Sequence, residues 1–163
     1  MKTIGLISDT HSYLHPSIAK FLAQCDEIWH AGDFGDLETA KDIASLKPLK
    51  GVYGNIDGRD VRSFYPLFQD FMCEDLRVLI LHIGGYPGKY SKEAKELIKE
   101  LKPGLFISGH SHILKVINDP KNNLLHINPG AAGRSGFHKV ITAVKFVVEG
   151  KDVRDLEIIE IDK

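Results

Sequence analysis

Met1-Lys2-Thr3-Ile4-Gly5-Leu6-Ile7-Ser8-Asp9-Thr10-His11 is the stretch from which the fold can be read. Thr3 to Ser8 is a short apolar run of strand type, and it breaks off at Asp-Thr-His. A helical pattern follows, with Ile18, Phe21 and Leu22 on one face, so the order is strand, polar loop, helix. The same order recurs downstream. Glu27 to Ala31 reads as a strand, Leu37 to Leu46 as a helix and Leu49 to Tyr53 as a strand, and each strand is followed by Gly with Asp or Asn. Alternating strands and helices predict an α/β fold with a parallel sheet. Polar residues then collect at the carboxyl ends of the strands, the edge at which such sheets place ligands.

Further along, β structure dominates. Gln69 to Cys73 and Arg77 to His82, separated by Glu74-Asp75-Leu76, read as a hairpin. Ser91 to Leu101 reads as a helix, with Ser91 as N-cap, Ala94, Leu97, Ile98 and Leu101 at helical spacing, and Pro103-Gly104 as the stop. Leu105 to Ser108 is a buried strand. Lys115 to Asn118, Leu124 to Ile127, Val140 to Val148 and Asp155 to Ile161 follow as strands, parted by turns such as Asn118-Asp119-Pro120 and Glu149-Gly150. Two sheets packed face to face with helices outside accommodate this order. No repeat, low-complexity tract or linker interrupts it, and residues 1–163 are expected to form a single domain.

The composition sets bounds on function. With 43% hydrophobic and 26% charged residues the chain is an ordinary globular one. Its 21 basic and 22 acidic residues leave a formal charge of -1, so general nucleic-acid or membrane-surface binding has no electrostatic basis. The early apolar run is too short for a signal-peptide core, and no stretch approaches the roughly 18 apolar residues of a membrane helix. The expected location is the cytoplasm. Cys25 and Cys73 stand apart from each other and from any Cys-x-x-Cys spacing, and they read as buried thiols in a reducing compartment.

The chemistry lies in the residues that follow the strands. Asp9 and His11 are two apart, a spacing that can send both side chains to one side of the chain. Gly32-Asp33 and Gly54-Asn55 follow the next two strands, His82 ends a fourth, and Gly109-His110-Ser111-His112 ends another. Seven donors thus share one edge. Buried carboxylates and histidines need compensation, and a metal satisfies them together. A donor set of carboxylate, amide and imidazole without thiolate suits manganese, iron or zinc, with nickel and magnesium also compatible. Seven ligands exceed the need of one ion and suit two divalent ions with a bridging carboxylate, the arrangement that activates water and clamps a phosphoryl oxygen.

In order and type, Asp9-Thr10-His11, Gly32-Asp33, Gly54-Asn55, His82 and Gly109-His110-Ser111-His112 resemble the calcineurin-like metallophosphoesterase superfamily, in its small bacterial and archaeal phosphodiesterase branch. The resemblance spans Ile4 to Pro129. It implies a four-layer α/β/β/α fold in which a two-sheet sandwich is flanked by helices. It assigns Asp9, His11 and His112 to one metal and Asn55, His82 and His110 to the other, with Asp33 bridging. The implied activity is metal-dependent phosphodiester hydrolysis by a metal-bridging hydroxide, with Asp33, Asn55 and His82 at its catalytic heart and manganese as the leading metal.

One position departs from the pattern. Many superfamily members carry histidine after the motif asparagine, as a proton donor to the leaving oxygen, and the small branch commonly has cysteine there. Here Ile56 follows Asn55, so poor leaving groups and phosphate monoesters are expected to react slowly. Asn128-Pro129-Gly130-Ala131 resembles the branch's Asn-Pro-Gly-Ser, whose backbone amides would face a phosphate. Asp57, Arg134 and His138 are candidate substrate contacts, Arg134 because a guanidinium can grip phosphate with two hydrogen bonds.

Other residues are expected to be ordinary: His15, His126, Asp26, Asp36 and Asp60 as surface or packed side chains, Trp29 as packing, and His30 as at most a support to a ligand. The substrate is expected to be a small phosphodiester or nucleotide. Relatives of this branch are often homo-oligomers, although no exposed apolar stripe in the sequence marks an interface. Two alternatives are a phosphomonoesterase and a non-catalytic metal-binding scaffold similar to the small subunit of retromer. The intact ligand set argues against the scaffold.

Overall fold

The computed structural model describes residues 1–163. Two five-stranded sheets carry the fold. In the first, the order is β10-β9-β1-β2-β3, formed by Asp152–Asp162, Val140–Glu149, Lys2–Ile7, Glu27–His30 and Leu49–Gly51. In the second, the order is β4-β5-β6-β8-β7, formed by Phe68–Cys73, Leu76–Leu81, Leu105–Ile107, Leu124–Pro129 and Leu114–Asp119.

Both sheets are mixed, and the parallel arrangement expected from the alternating strands and helices is found in β1, β2 and β3. β9 pairs with β1 antiparallel and β10 with β9. Likewise β5, β6 and β8 are parallel, with antiparallel β4 and β7 at the edges.

The period of two along each strand explains how the layers stack. Leu6, Trp29, Val78, Ile80, Val144 and Phe146 point between the sheets and form the central core. Their chain neighbours Ile7, Ile28 and Ala143 point to the opposite face of the first sheet. There they meet Ile18 and Leu22 of α1 (Pro16–Leu22), Ala40 and Ile43 of α2 (Leu37–Ala44) and Val61 of α3 (Arg59–Phe64). Leu79, Leu81 and Phe106 point the other way, onto Ala94 and Ile98 of α4 (Lys92–Leu101). Strands covered on both faces are apolar on both, which is why β1 and β5 read as continuous apolar runs. The layers run helix, sheet, sheet, helix, as expected.

Side-chain caps hold the helix starts. Asp36 accepts from the Thr39 amide at 2.7 Å and Ser91 from the Ala94 amide at 3.1 Å. Lys102 ends α4 in the left-handed conformation before Pro103. The six residues of α3 show no helical period in the sequence and are helical in the fold. No helix is long and apolar enough to cross a membrane.

Register positions the functional edge. Ile7 lies beside His30 and His30 beside Gly51, so β1, β2 and β3 end abreast. Ile80, Ile107 and Ile127 do the same in the second sheet. The loops leaving these two rows of strand ends meet across the sandwich.

Candidate metal centre

Asp9 and His11 follow β1, Asp33 follows β2 and Asn55 follows β3, while His82 follows β5 and His110 and His112 follow β6. The structure brings these seven together. Asp9, His11 and His112 form one cluster with potential ligand atoms within 4.8 Å of one another, and Asp33, His82 and His110 form a second. Asn55 joins the second through Oδ1, 3.1 Å from Nε2 of His82. The split is the one implied by the resemblance, with Asp33 in reach of His11 as well.

The backbone at these positions is strained. Asp9 (φ 53°), His11 (46°), Asp33 (59°), His110 (71°) and His112 (63°) all lie in the left-handed region. That region costs a residue with a side chain roughly 1–2 kcal/mol. Concentrating such residues at one edge, where none is glycine, marks a site held in place by its surroundings. Glycine serves where two loops touch. Gly32 (φ 107°) packs against His82 so closely that a Cβ would lie 2.5 Å from Nδ1, and a Cβ at Gly54 would overlap the Asp33 carboxylate.

Each carboxylate has one anchored oxygen and one oxygen facing the imidazoles. Oδ2 of Asp9 accepts from the Ser8 hydroxyl at 2.6 Å and the His110 amide at 3.1 Å. Its Oδ1 is buried without a hydrogen-bond partner and faces Nε2 of His112 at 3.2 Å and of His11 at 3.7 Å. Oδ1 of Asp33 accepts from the Ile56 amide at 3.0 Å, while Oδ2 faces Nε2 of His82 at 3.2 Å and of His11 at 3.4 Å.

The far nitrogens of the rings fix the tautomers. A carbonyl can only accept, so Nδ1 of His82 must be the donor to the Ala31 oxygen at 2.7 Å, which leaves Nε2 of the neutral ring as a lone pair aimed at Asp33 and Asn55. His138 donates from Nε2 to the Gly133 oxygen at 2.8 Å and so accepts at Nδ1 from Nδ1 of His112, 3.3 Å away. That turns the lone pair of His112 Nε2 toward Asp9. Lone pairs of nitrogen and carboxylate oxygen facing each other repel unless a proton or a cation lies between them.

In the metal-free chain the proton takes that place. Hydrogen bonding to Asp33 and Asp9 raises the His11 pKa to about 9. Burial alone would raise the Asp9 and Asp33 carboxyls. The nearness of the His11 and His112 rings to Asp9, and of the His11 and His82 rings to Asp33, outweighs it and holds both well below the usual range. Burial disfavours charge on His82, but its contact with Asp33 prevails and the pKa rises. Orphaned Oδ1 of Asp9 and Nε2 of His11, together with this donor set, fit divalent cations.

The remaining sequence candidates fall into place around the cluster. Asp57 is buried beneath the turn, its oxygens accepting from the amides of Phe34 (3.2 Å), Gly35 (2.9 Å) and Gly54 (2.9 Å). It clamps the Asp33 loop to the Asn55 loop and presents no free oxygen to a substrate in this arrangement. His138 orients His112. Arg134 is exposed, its guanidinium carbon 3.9 Å from the centroid of the Tyr13 ring. In the Asn128 segment, the amides of Gly130, Ala132 and Gly133 bond Oδ1 of Asn128 and the carbonyls of Ser8 and Asp9. The Gly130 amide is thus taken up within the segment, and those of Ala132 and Gly133 brace the Asp9 loop.

His30 does more than the sequence suggested. Its Nδ1 accepts from the Gly32 amide and its Nε2 donates to Oγ1 of Thr10, both at 3.0 Å, tying the two carboxylate loops together. Burial lowers its pKa to about 3, so it does this as a neutral ring. Trp29 packs in the central core, as expected, and both cysteines are free and buried.

Comparison with known proteins agrees with this geometry. The model of the calcineurin-like phosphoesterase superfamily domain matches residues 1–151. A probable metallophosphoesterase of Methanothermobacter thermautotrophicus is 30% identical over 135 residues, covering 78% of this chain and 76% of that protein. Among solved structures, Vps29 of Chaetomium thermophilum superposes with a TM-score of 0.76 at 18% identity, covering 99% of this chain and 97% of that one. An archaeal phosphodiesterase superposes with a TM-score of 0.73 at 23% identity and 99% coverage of both chains. At these identities the structural matches establish the fold.

Proposed function

The chain belongs to the calcineurin-like phosphoesterase superfamily, and from that premise we propose that it is a phosphodiesterase whose centre holds two divalent ions. Membership supports phosphoester hydrolysis and implies divalent metal. The observation that supports the finer reading is the pairing of free carboxylate oxygens with imidazole lone pairs in two adjoining clusters. Asp9, His11 and His112 would hold one ion and Asn55, His82 and His110 the other, and Asp33, in reach of both His11 and His82, would serve both. Ions in such a pair supply a nucleophile from water at neutral pH and neutralise charge developing on phosphoryl oxygens.

The protein's part is to keep these donors in place. Ser8 and the His110 amide fix Asp9, the Ile56 amide fixes Asp33, and Ala31 and His138 orient His82 and His112. Arg134, held over Tyr13, is the proposed phosphate contact at the rim. Water adds to phosphorus, the ester bond to one alcohol breaks, and that alcohol leaves with a proton while the monoester remains. Residue 56 cannot supply that proton, which favours diesters whose alcohols leave readily. Manganese is the proposed ion, from the mixed nitrogen and oxygen donors. The free buried thiols of Cys25 and Cys73 suit a reducing cytoplasm.

A second reading, a metal-binding scaffold without catalysis, draws on the fold shared with Vps29. The two are separated by stripping the protein of metal and assaying bis-para-nitrophenyl phosphate and para-nitrophenyl phosphate with manganese, nickel, zinc or magnesium restored. The proposal expects metal-dependent cleavage with the diester preferred, lost in Asp33→Asn and His82→Ala. Two bound ions without cleavage of either ester would favour the scaffold.

A further inference from the structure

Three isoleucines and a phenylalanine stand exposed beside the centre in a pattern that the fold does not require. Ile56 follows Asn55, Ile83 follows His82, Ile113 follows His112, and Phe137 precedes His138. Consecutive Cα atoms are about 3.8 Å apart, so each apolar side chain leaves the backbone one residue from a side chain of the centre. Ile83 is 45%, Ile56 46% and Ile113 58% exposed, and Phe137 is fully exposed. None of the four belongs to a core cluster.

A single exposed apolar residue calls for no explanation, but four of them, each next in sequence to a side chain of the centre or its support, point to a binding surface. The residue type adds to this. Isoleucine is stiff and β-branched and suits strands, whereas loops of this kind ordinarily take Gly, Asn, Asp or Ser. Ile83 also walls a cavity of about 210 Å³ that reaches His110. Tyr86 lies in the same cavity with Nζ of Lys115 4.1 Å from its ring centroid, which places a cation at the apolar wall. This volume is below the roughly 300–1,000 Å³ of pockets that enclose a drug-sized ligand, and it suits one arm of an ester.

We propose that Ile56, Ile83, Ile113 and Phe137 form an apolar collar that selects phosphodiesters with alkyl or aryl ester arms, the anionic phosphate lying over the centre and the arms on the collar. This rests on the phosphoesterase reading. It makes the preferred substrate amphipathic, and chain length in the ester arm becomes a determinant of specificity.

The test holds the leaving group constant and lengthens the other arm: methyl, butyl and hexyl para-nitrophenyl phosphates with the manganese-loaded protein, and calorimetric titration with dimethyl and dibutyl phosphate. Burial of a methylene supports about a twofold to fourfold gain each, so kcat/KM rises by that factor per carbon, chiefly through KM. Dibutyl phosphate binds more tightly than dimethyl phosphate, with the negative heat-capacity change of apolar burial. Ile83→Ser and Ile113→Ser flatten both series. Met72→Ser, an exposed apolar change on β4 opposite Arg77 and roughly 17 Å along β5 from His82, leaves them steep. A flat series from an active enzyme, or one equally steep in Ile83→Ser, overturns the collar and spares the phosphodiesterase. Tighter dibutyl phosphate binding with no ester cleaved keeps the collar and overturns the phosphodiesterase. Absence of both overturns both.

Discussion

The free carboxylate oxygens of Asp9 and Asp33 converge on a single imidazole: Nε2 of His11 lies 3.7 Å from Oδ1 of the first and 3.4 Å from Oδ2 of the second. A proton held between them is the metal-free substitute for a cation, and its displacement has a measurable consequence. With a His11 pKa of about 9, the metal-free chain carries that proton at pH 7 and a bound ion must expel it. Metal affinity therefore rises about tenfold per pH unit from 7 toward 9 and levels off above. Calorimetry of manganese binding in buffers of different ionisation enthalpy should register at least one proton released near pH 7. An affinity flat across this range would contradict the arrangement.

Gly54 tests the packing of the second carboxylate. A Cβ there overlaps Oδ1 of Asp33, the oxygen that the Ile56 amide anchors, so Gly54→Ala must displace either the carboxylate or the loop. Metal affinity should fall at least tenfold, while circular dichroism shows the sheets retained, because the strands end before this position.

Asp57 separates a clamp from a substrate contact. Removing a buried carboxylate that accepts three amide hydrogen bonds leaves those amides unpaired, at a cost of about 1–3 kcal/mol or more. Asp57→Ala is expected to lower the midpoint of urea unfolding and to weaken metal binding by loosening both loops. An unchanged midpoint with a raised KM would instead put Asp57 in contact with the substrate.

The buried neutral histidines set an acid limit on stability. Burial lowers the pKa of His30 to about 3 and of His126 to about 4, whereas an unfolded chain protonates histidine near 6.5. Between those limits the unfolded state binds more protons, so stability is present above pH 6.5 and is lost as the pH falls toward 4. Each ring contributes about 1.4 kcal/mol per pH unit. His11 and His82, whose values are raised, oppose this slope near pH 6.5 and cease to matter well below it, where both states are protonated. Urea unfolding of the chelator-treated protein from pH 6 to 5 should show the slope, and His126→Phe should reduce it without abolishing it, since His30 and His138 are lowered by burial as well. Stability independent of pH over that range would refute the assignment.

Much of this centre can be read from the chain because parallel strands end abreast, so polar residues after successive apolar runs must gather at one edge. Asp9, Asp33 and Asn55 follow from that rule in the first sheet, and His82, His110 and His112 in the second. The supporting contacts cannot be read this way. Asp57 gains its role from the amides of Phe34 and Gly35, which only the folded loops bring to it, and His30 from Thr10 on the neighbouring loop. The short α3 helix buries one side chain, Val61, and Asp57-Gly58-Arg59-Asp60 carries turn residues, so no helical period is visible there. The mixed sheets escape a local reading for a related reason. β9 lies beside β1 although most of the chain separates them, and short-range pattern carries no information about that pairing.

A pair of ions held by these seven side chains would be visible in anomalous diffraction from crystals grown with manganese. Two peaks about 3.5–4 Å apart are expected. One should contact Asp9, His11 and His112, the other Asn55, His82 and His110, with Asp33 touching both. A single peak, or peaks that leave Asp33 bound to only one ion, would contradict it.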